Sequence, residues 1–321
     1  TMDTTRHDFQ WEVIEFPSPF GSGALYDVAI IDENDIWAVG EIYADSAQPW
    51  LPYNAVHWDG EKWELKKVPY YDETGYAWYT PIKSILAFSA EDIWFEAGIH
   101  WNGIEFESRP LNIDFPSHVN KMWGTSSDDL YIVGNNGLIA HYDGQGWQRM
   151  ESGTELDFRD IWGTVNPNTG KIQFMAIASA GFSPPPDIYL LFYDGQFHTI
   201  TKDGLPGVLV SGWFIPDRKY FVVRDGVFYT YQLGKVWQAD TIHPLLFKAA
   251  IRGTNLNDII ITGGFGLVSH FNGVSWRHYA GNELPSFYGT YGSVDYNGTL
   301  LIAVGDIGDR AIVLRGIKQS P

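Results

Sequence analysis

Short apolar runs separated by glycine-centred turns set the rhythm of this chain. In residues 128–147, DDLYIVGNNGLIAHYDGQGW, Leu130–Val133 is a β-branched and aromatic run, the composition of a strand. Gly134 and Gly137 bracket a short turn, and Leu138–Tyr142 is a second such run. Asp143-Gly144 supplies the positive-φ turn that folds one strand back on the next. Trp147 then opens another strand, where it can pack across the hairpin against Tyr142. Residues 257–276, NDIIITGGFGLVSHFNGVSW, align with this segment without a gap, and eight of the twenty positions are identical. Self-similarity at a period of about 40 residues marks a repeat architecture.

Seven copies register on this unit. Their expected hairpin turns are Asp59-Gly60, Asn102-Gly103, Asp143-Gly144, Asp194-Gly195, Leu233-Gly234, Asn272-Gly273 and Arg315-Gly316. Another apolar run precedes each unit's second strand, as at Tyr26–Ile31, Val119–Gly124 and Phe158–Gly163, so each unit is a four-stranded meander. The seventh copy lacks its fourth strand. The run Trp11–Phe16 matches the outer strand that begins at Trp63, and it is expected to complete the last unit. Joining first and last repeats removes two exposed sheet edges. The expectation is an all-β fold, a seven-bladed β-propeller over residues 9–321, behind a polar lead-in at residues 1–8.

In such a meander the second-to-third-strand loops and the inter-blade links open on one face. The long loops fall there, and they are aromatic: Tyr43, Trp50, Tyr53, Tyr71, Tyr76, Trp78, Tyr79, Phe182, Phe287, Tyr288 and Tyr291. Long loops of this kind often carry function. They either pack on one another or stay exposed and stack on a ligand such as a sugar ring. Trp50, Trp78, Tyr79 and Tyr288 are the candidate ligand-binding residues. The innermost strands begin near the central channel on the same face, with Asp27, Lys83, Ser84, Asn120, Lys121, Arg159, Asp160, Ser211, Lys248 and Ser293 at their starts. Asp27, Lys121, Arg159 and Asp160 are the candidates for a polar funnel. Compensating ion pairs around the channel are the plainer expectation for them.

Composition narrows the function classes. The net charge is −18, which repels phosphate backbones and argues against nucleic acid. There is no cysteine, so disulfides and thiolate sites are excluded. No apolar run is long enough for a membrane-spanning helix. Signatures of zinc hydrolases, nucleotide loops, serine hydrolases and calcium loops are missing, and no cofactor or metal is expected. His57, His100, His141 and His270 recur at one repeat position. Separate blades point apart, so these histidines cannot converge on one metal and are read as structural. Asp35, Asp92, Asp129 and Asp258 recur before the second strand and are expected to shape the turn there.

The DIWAVG and HWDGEKW elements of the first copy, with VNKMWGTSSDDLYIVGNNGLIAHYDG in the third, resemble a family of exported bacterial seven-bladed propeller proteins. The similarity runs from end to end. In that family the ring follows fibronectin-type-III-like modules at the surface, so the resemblance implies export and brings no ligand or catalytic residue. The leading expectation is a non-catalytic surface binding module, most of all for carbohydrate. A polysaccharide lyase or hydrolase working in the funnel, and a protein-interaction scaffold, are the alternatives. Sequence leaves the partner, glycan or surface protein, and the oligomeric state open.

Overall fold

Seven four-stranded antiparallel sheets follow one another along the chain. The computed structural model describes residues 4–109, 118–180, 187–240 and 246–319. Successive innermost strands pack side by side, and the strand Gly23–Asp32 of the first blade packs against Gly289–Tyr296 of the last. The ring is therefore closed, and the fold is a seven-bladed β-propeller. Strands within a blade are lettered a to d from the axle outwards.

Ring closure uses the strand Phe9–Phe16 as strand d of blade 7. It pairs with strand c, Arg310–Lys318, through eight consecutive residues without a register shift. The expected turn at Arg315-Gly316 is not a turn. Strand c runs straight through it, and Gly316 lies opposite both Trp11 and Leu301. Glycine is needed there for packing, since a Cβ on Gly316 would lie 2.3 Å from the Trp11 ring.

The c–d hairpins show why the repeat is written with Asp-Gly or Asn-Gly. In blade 1 the Asp59 carboxylate accepts from the backbone N–H groups of Glu61 and Lys62, both at 2.9 Å. Asn102, Asp143 and Asn272 repeat this bond pattern. Gly60 follows at φ 93°, a region other residues avoid. The flanking aromatics meet across the turn, with ring centroids 5.8 Å apart for Trp58 and Trp63 and 5.3 Å for Tyr142 and Trp147.

The recurring histidines are structural, and their partners are the recurring aspartates. Nε2 of His57, His100, His141 and His270 donates to Asp35, Asp92, Asp129 and Asp258 at 2.8, 2.9, 2.8 and 2.8 Å. The aspartates of blades 3 and 6 also bridge the a–b turn, as expected, by accepting from the Thr125 and Thr254 hydroxyls. In blades 1 to 3 the histidine also stacks on the aromatic of strand b, Trp37, Trp94 or Tyr131. The lead-in reaches the same layer: His7 and His270 share an Nδ1–Nδ1 hydrogen bond of 2.9 Å, and the Thr5 hydroxyl donates to the Asn257 carbonyl.

Candidate functional site

Strand a of blades 1, 3, 4, 6 and 7 carries a register shift near its start. Such a bulge re-aims the side chains beyond it. It brings Asp27, Lys121, Asp160, Ala250 and Ser293 to one level, beside Ser84 and Ser211 of the two blades without it. This belt stitches blade to blade. Asp27 accepts from the Ile85 N–H at 3.1 Å, and Ser84 Oγ accepts from the Met122 N–H at 2.9 Å. Asn120 donates to the Phe158 carbonyl at 2.8 Å. Asp160 accepts from the Gly212 N–H at 3.1 Å, and Ser211 Oγ from the Ile251 N–H at 3.2 Å. Asp295 closes the series by accepting from the Ile30 N–H at 2.8 Å.

Two ion pairs cross this belt, each skipping a blade. Lys121 Nζ donates to Asp27, which also accepts from the Ser293 hydroxyl. Arg252 grips Asp160 with two bonds, of 2.8 and 3.0 Å. Burial alone would raise the Asp160 carboxyl, but the Arg252 guanidinium holds it below the usual carboxylate range. Burial pushes the Asp295 carboxyl up, against its two backbone N–H bonds and the weaker pull of Lys121. Arg159 lines the funnel with Asp160, and its ion pair is with Asp157 at 3.4 Å. The cavity left among Tyr26, Asn120, Lys121, Arg159, Asp160 and Arg252 is about 90 Å³. That is room for a few waters and too little for a sugar ring. A hollow of about 700 Å³ lies off the axle between blades 4 and 5, lined in part by Phe192, Tyr220 and Tyr231.

The sequence reading named Lys248 as the blade 6 contribution and missed Arg252. Lys248 precedes the bulge, and its ammonium donates to the Asp225 carbonyl. Arg252 lies four residues on and enters the channel from below the belt. A second missed group is Glu96, in the 3-10 turn Glu96–Gly98 that follows strand b of blade 2. Its backbone N–H donates to the Ser84 carbonyl, its φ is 54°, and burial pushes its carboxyl up to about 7 beside Lys83.

The loop aromatics divide as the sequence left open. Tyr291 is buried, and Tyr43, Tyr53, Tyr79 and Phe287 are partly covered. Trp50, Trp78 and Tyr288 stay open at 73%, 52% and 85% exposure. Phe182 lies outside the described residues. Trp78 sits on a small hairpin in which Tyr70–Tyr71 pairs with Ala77–Trp78. Asp72 ties that hairpin together. It accepts from the Thr74 N–H and hydroxyl, the Tyr76 N–H and, at 2.9 Å, the Trp78 indole. These bonds, led by those of Thr74 and Trp78, hold the Asp72 carboxyl down at about 2. Trp78 is therefore exposed yet fixed in orientation, edge-on to Tyr76 at 5.0 Å. Tyr288 stands edge-on to Phe265 at 6.0 Å, and Trp50 has no aromatic partner among the described residues. Of the eight candidates, Lys121, Arg159 and Asp160 line one narrow funnel with Asp27 bonded to Lys121, Trp50, Trp78 and Tyr288 are open rings, and Tyr79 is partly covered.

No protein-family model matches the chain, and no curated protein matches it. Solved structures do. The chain is similar to YCF48 bound to a D1 peptide, with 16% identity and a TM-score of 0.68 over 99% of this chain and 100% of that one. It is similar to YCF48 from Cyanidioschyzon merolae, with 15% identity and a TM-score of 0.63 over 96% of this chain and 98% of that one. The WD40 β-propeller domain of Doa1 gives 14% identity and a TM-score of 0.68 over 98% of this chain and 99% of that one. At these identities the likeness is one of fold.

Proposed function

We propose that this chain is a non-catalytic binding module that holds a protein partner on its long-loop face. The observation that carries the reading is Trp78, half exposed yet locked by its indole bond to Asp72. A ring fixed before binding loses little freedom on contact, which is how interface anchors work. The funnel supports binding over catalysis, because Asp27 and Asp160 are each committed to a cation and to backbone N–H groups. That one similar propeller is described with a bound peptide agrees with a protein partner. Export, implied by the family resemblance, belongs to the same proposal.

Carbohydrate binding is the second reading, and Trp50 favours it. Its open face, without an aromatic neighbour among the described residues, is the kind of platform on which a sugar ring stacks. The deciding experiment pairs a glycan array with partner capture by a photo-crosslinking residue placed at Trp78 or at Ile104, a hairpin tip on the opposite face. Protein crosslinks confined to position 78, with affinity weakened by roughly 0.5–1.5 kcal/mol in Trp78→Ala, are expected. Equal crosslinking from both positions sinks the proposed face. A blank crosslink with a hit in one sugar class moves the assignment to the second reading.

A further inference from the structure

The outermost strand of blade 7 differs from all the others. Outer strands of blades 1 to 6 have only three or four residues, from Trp63–Lys66 to Trp276–Tyr279. Phe9–Phe16 has eight. Short edges are a common protection against unwanted strand pairing, and this edge lacks it. It also lacks a bulge, since its ladder to Arg310–Lys318 is unbroken. In an antiparallel pair half of a strand's N–H and C=O groups point away from the partner. Among the described residues, no backbone group of Phe9–Phe16 has a hydrogen bond outside that one ladder. The result is a straight row of unpaired backbone groups, roughly 26 Å long at about 3.3 Å per residue.

We infer that this edge takes an extended, lysine- or arginine-bearing segment of a protein partner, added antiparallel as a fifth strand of blade 7. Strand addition draws affinity from main-chain bonds and selectivity from the side chains that alternate across the edge. Here those side chains are Val13 and Ile14 at the middle, with Glu12 and Glu15 beside them. Val13 is 43% exposed, and the two glutamates keep 54% and 37% of their side chains open. Glu12 and Glu15 reach Arg315 and Arg310 on the neighbouring strand, so each has room for a second cation on the open side. A second copy of this chain is the poorer occupant. Full antiparallel overlap of two such strands sets Glu12 diagonal to Glu15 of the other copy, and a two-residue slip sets them directly opposite. Like charges in either relation are destabilising.

The probe is a labelled peptide, Thr-Lys-Val-Val-Lys-Thr-Val-Thr, whose lysines fall opposite Glu15 and Glu12 in full antiparallel overlap. The expected result is saturable binding in fluorescence anisotropy, with slowed amide exchange confined to Phe9–Phe16. A copy with glutamate for lysine, and a fully N-methylated copy, should each bind about tenfold more weakly or worse. The double variant Glu12→Lys, Glu15→Lys should prefer the glutamate peptide, which a merely damaged edge would not do. Equal binding of the N-methylated copy, protection elsewhere, or no saturable binding of the lysine peptide overturns the assignment. So does concentration-dependent dimerisation that the double variant changes, which would make a second copy the occupant.

Discussion

Glu96 and His270 give the protein opposite responses to pH. The Glu96 carboxyl, pushed up to about 7 by burial, keeps its proton in the folded chain where an unfolded chain would release it above its ordinary 4.5. Its contribution to stability is complete below 4.5 and disappears as pH rises through 7. Glu96→Gln should therefore flatten the fall in the denaturation midpoint between pH 5 and pH 8. An unchanged fall would place the titrating group elsewhere. His270 is buried, which lowers its value below 6.5 against the pull of Asp258, and burial also holds His7 down at about 4. His270 already donates from Nε2 to Asp258, so its Nδ1 accepts the His7 bond. A second proton on His270 would abolish that acceptor. These two histidines contribute stability above 6.5 that is lost as pH falls toward 4, and the lead-in should loosen over that range, read by proton exchange near Thr5 and His7. In the axle, Asp160→Asn removes the carboxylate bonded directly to the buried Arg252. A loss of about 3–5 kcal/mol is expected in chemical denaturation.

At the scale of elements, much was legible because one short pattern does several jobs. The turn aspartate or asparagine binds two N–H groups, the glycine takes the positive φ, and the flanking rings clamp the hairpin. All three demands fall within seven consecutive residues, so they survive as a visible motif. Blade 5 shows where legibility stops. Lys219 occupies the place of Asp35, and Tyr229 the place of His57. The lysine ammonium lies 3.8 Å from the Tyr229 ring centre, a cation–π contact where blades 1, 2, 3 and 6 use a hydrogen bond. The position is conserved in geometry while its chemistry is exchanged, and no spacing rule reveals that. Gly316 misled for a related reason. A glycine after a polar residue looks like a turn, but this one clears space for Trp11. Gly316→Ala should cost roughly 1–3 kcal/mol of stability by displacing that ring, read as a lower thermal midpoint, whereas Gly146→Ala, with no atom within 4 Å of the added carbon, should cost far less.

For the whole molecule, the blade number and the closing strand followed from counting repeats and finding one strand missing at one end and present at the other. The site was less legible. Asp27, Lys121 and Asp160 were named and do meet at the axle, but strand bulges decide which neighbours reach them, and bulges leave little trace in composition. That is how Arg252 escaped notice, while Arg159 lines the cavity as named but takes Asp157 as its ion-pair partner. Which loop rings stay open depended on tertiary packing, and Trp78 became distinctive only once Asp72 was seen to hold it. The closing strand has a mechanical side as well. Phe9 lies opposite Lys318, and the Gln319 N–H donates to the Asp8 carbonyl at 2.8 Å, so both flanks of the ring leave from the same end of one ladder. Tension applied through those flanks pulls that ladder apart like a zip, one rung at a time, and never loads its eight rungs together in shear. A tethered propeller of this build should yield at low force by opening blade 7 first, with the other six blades still intact.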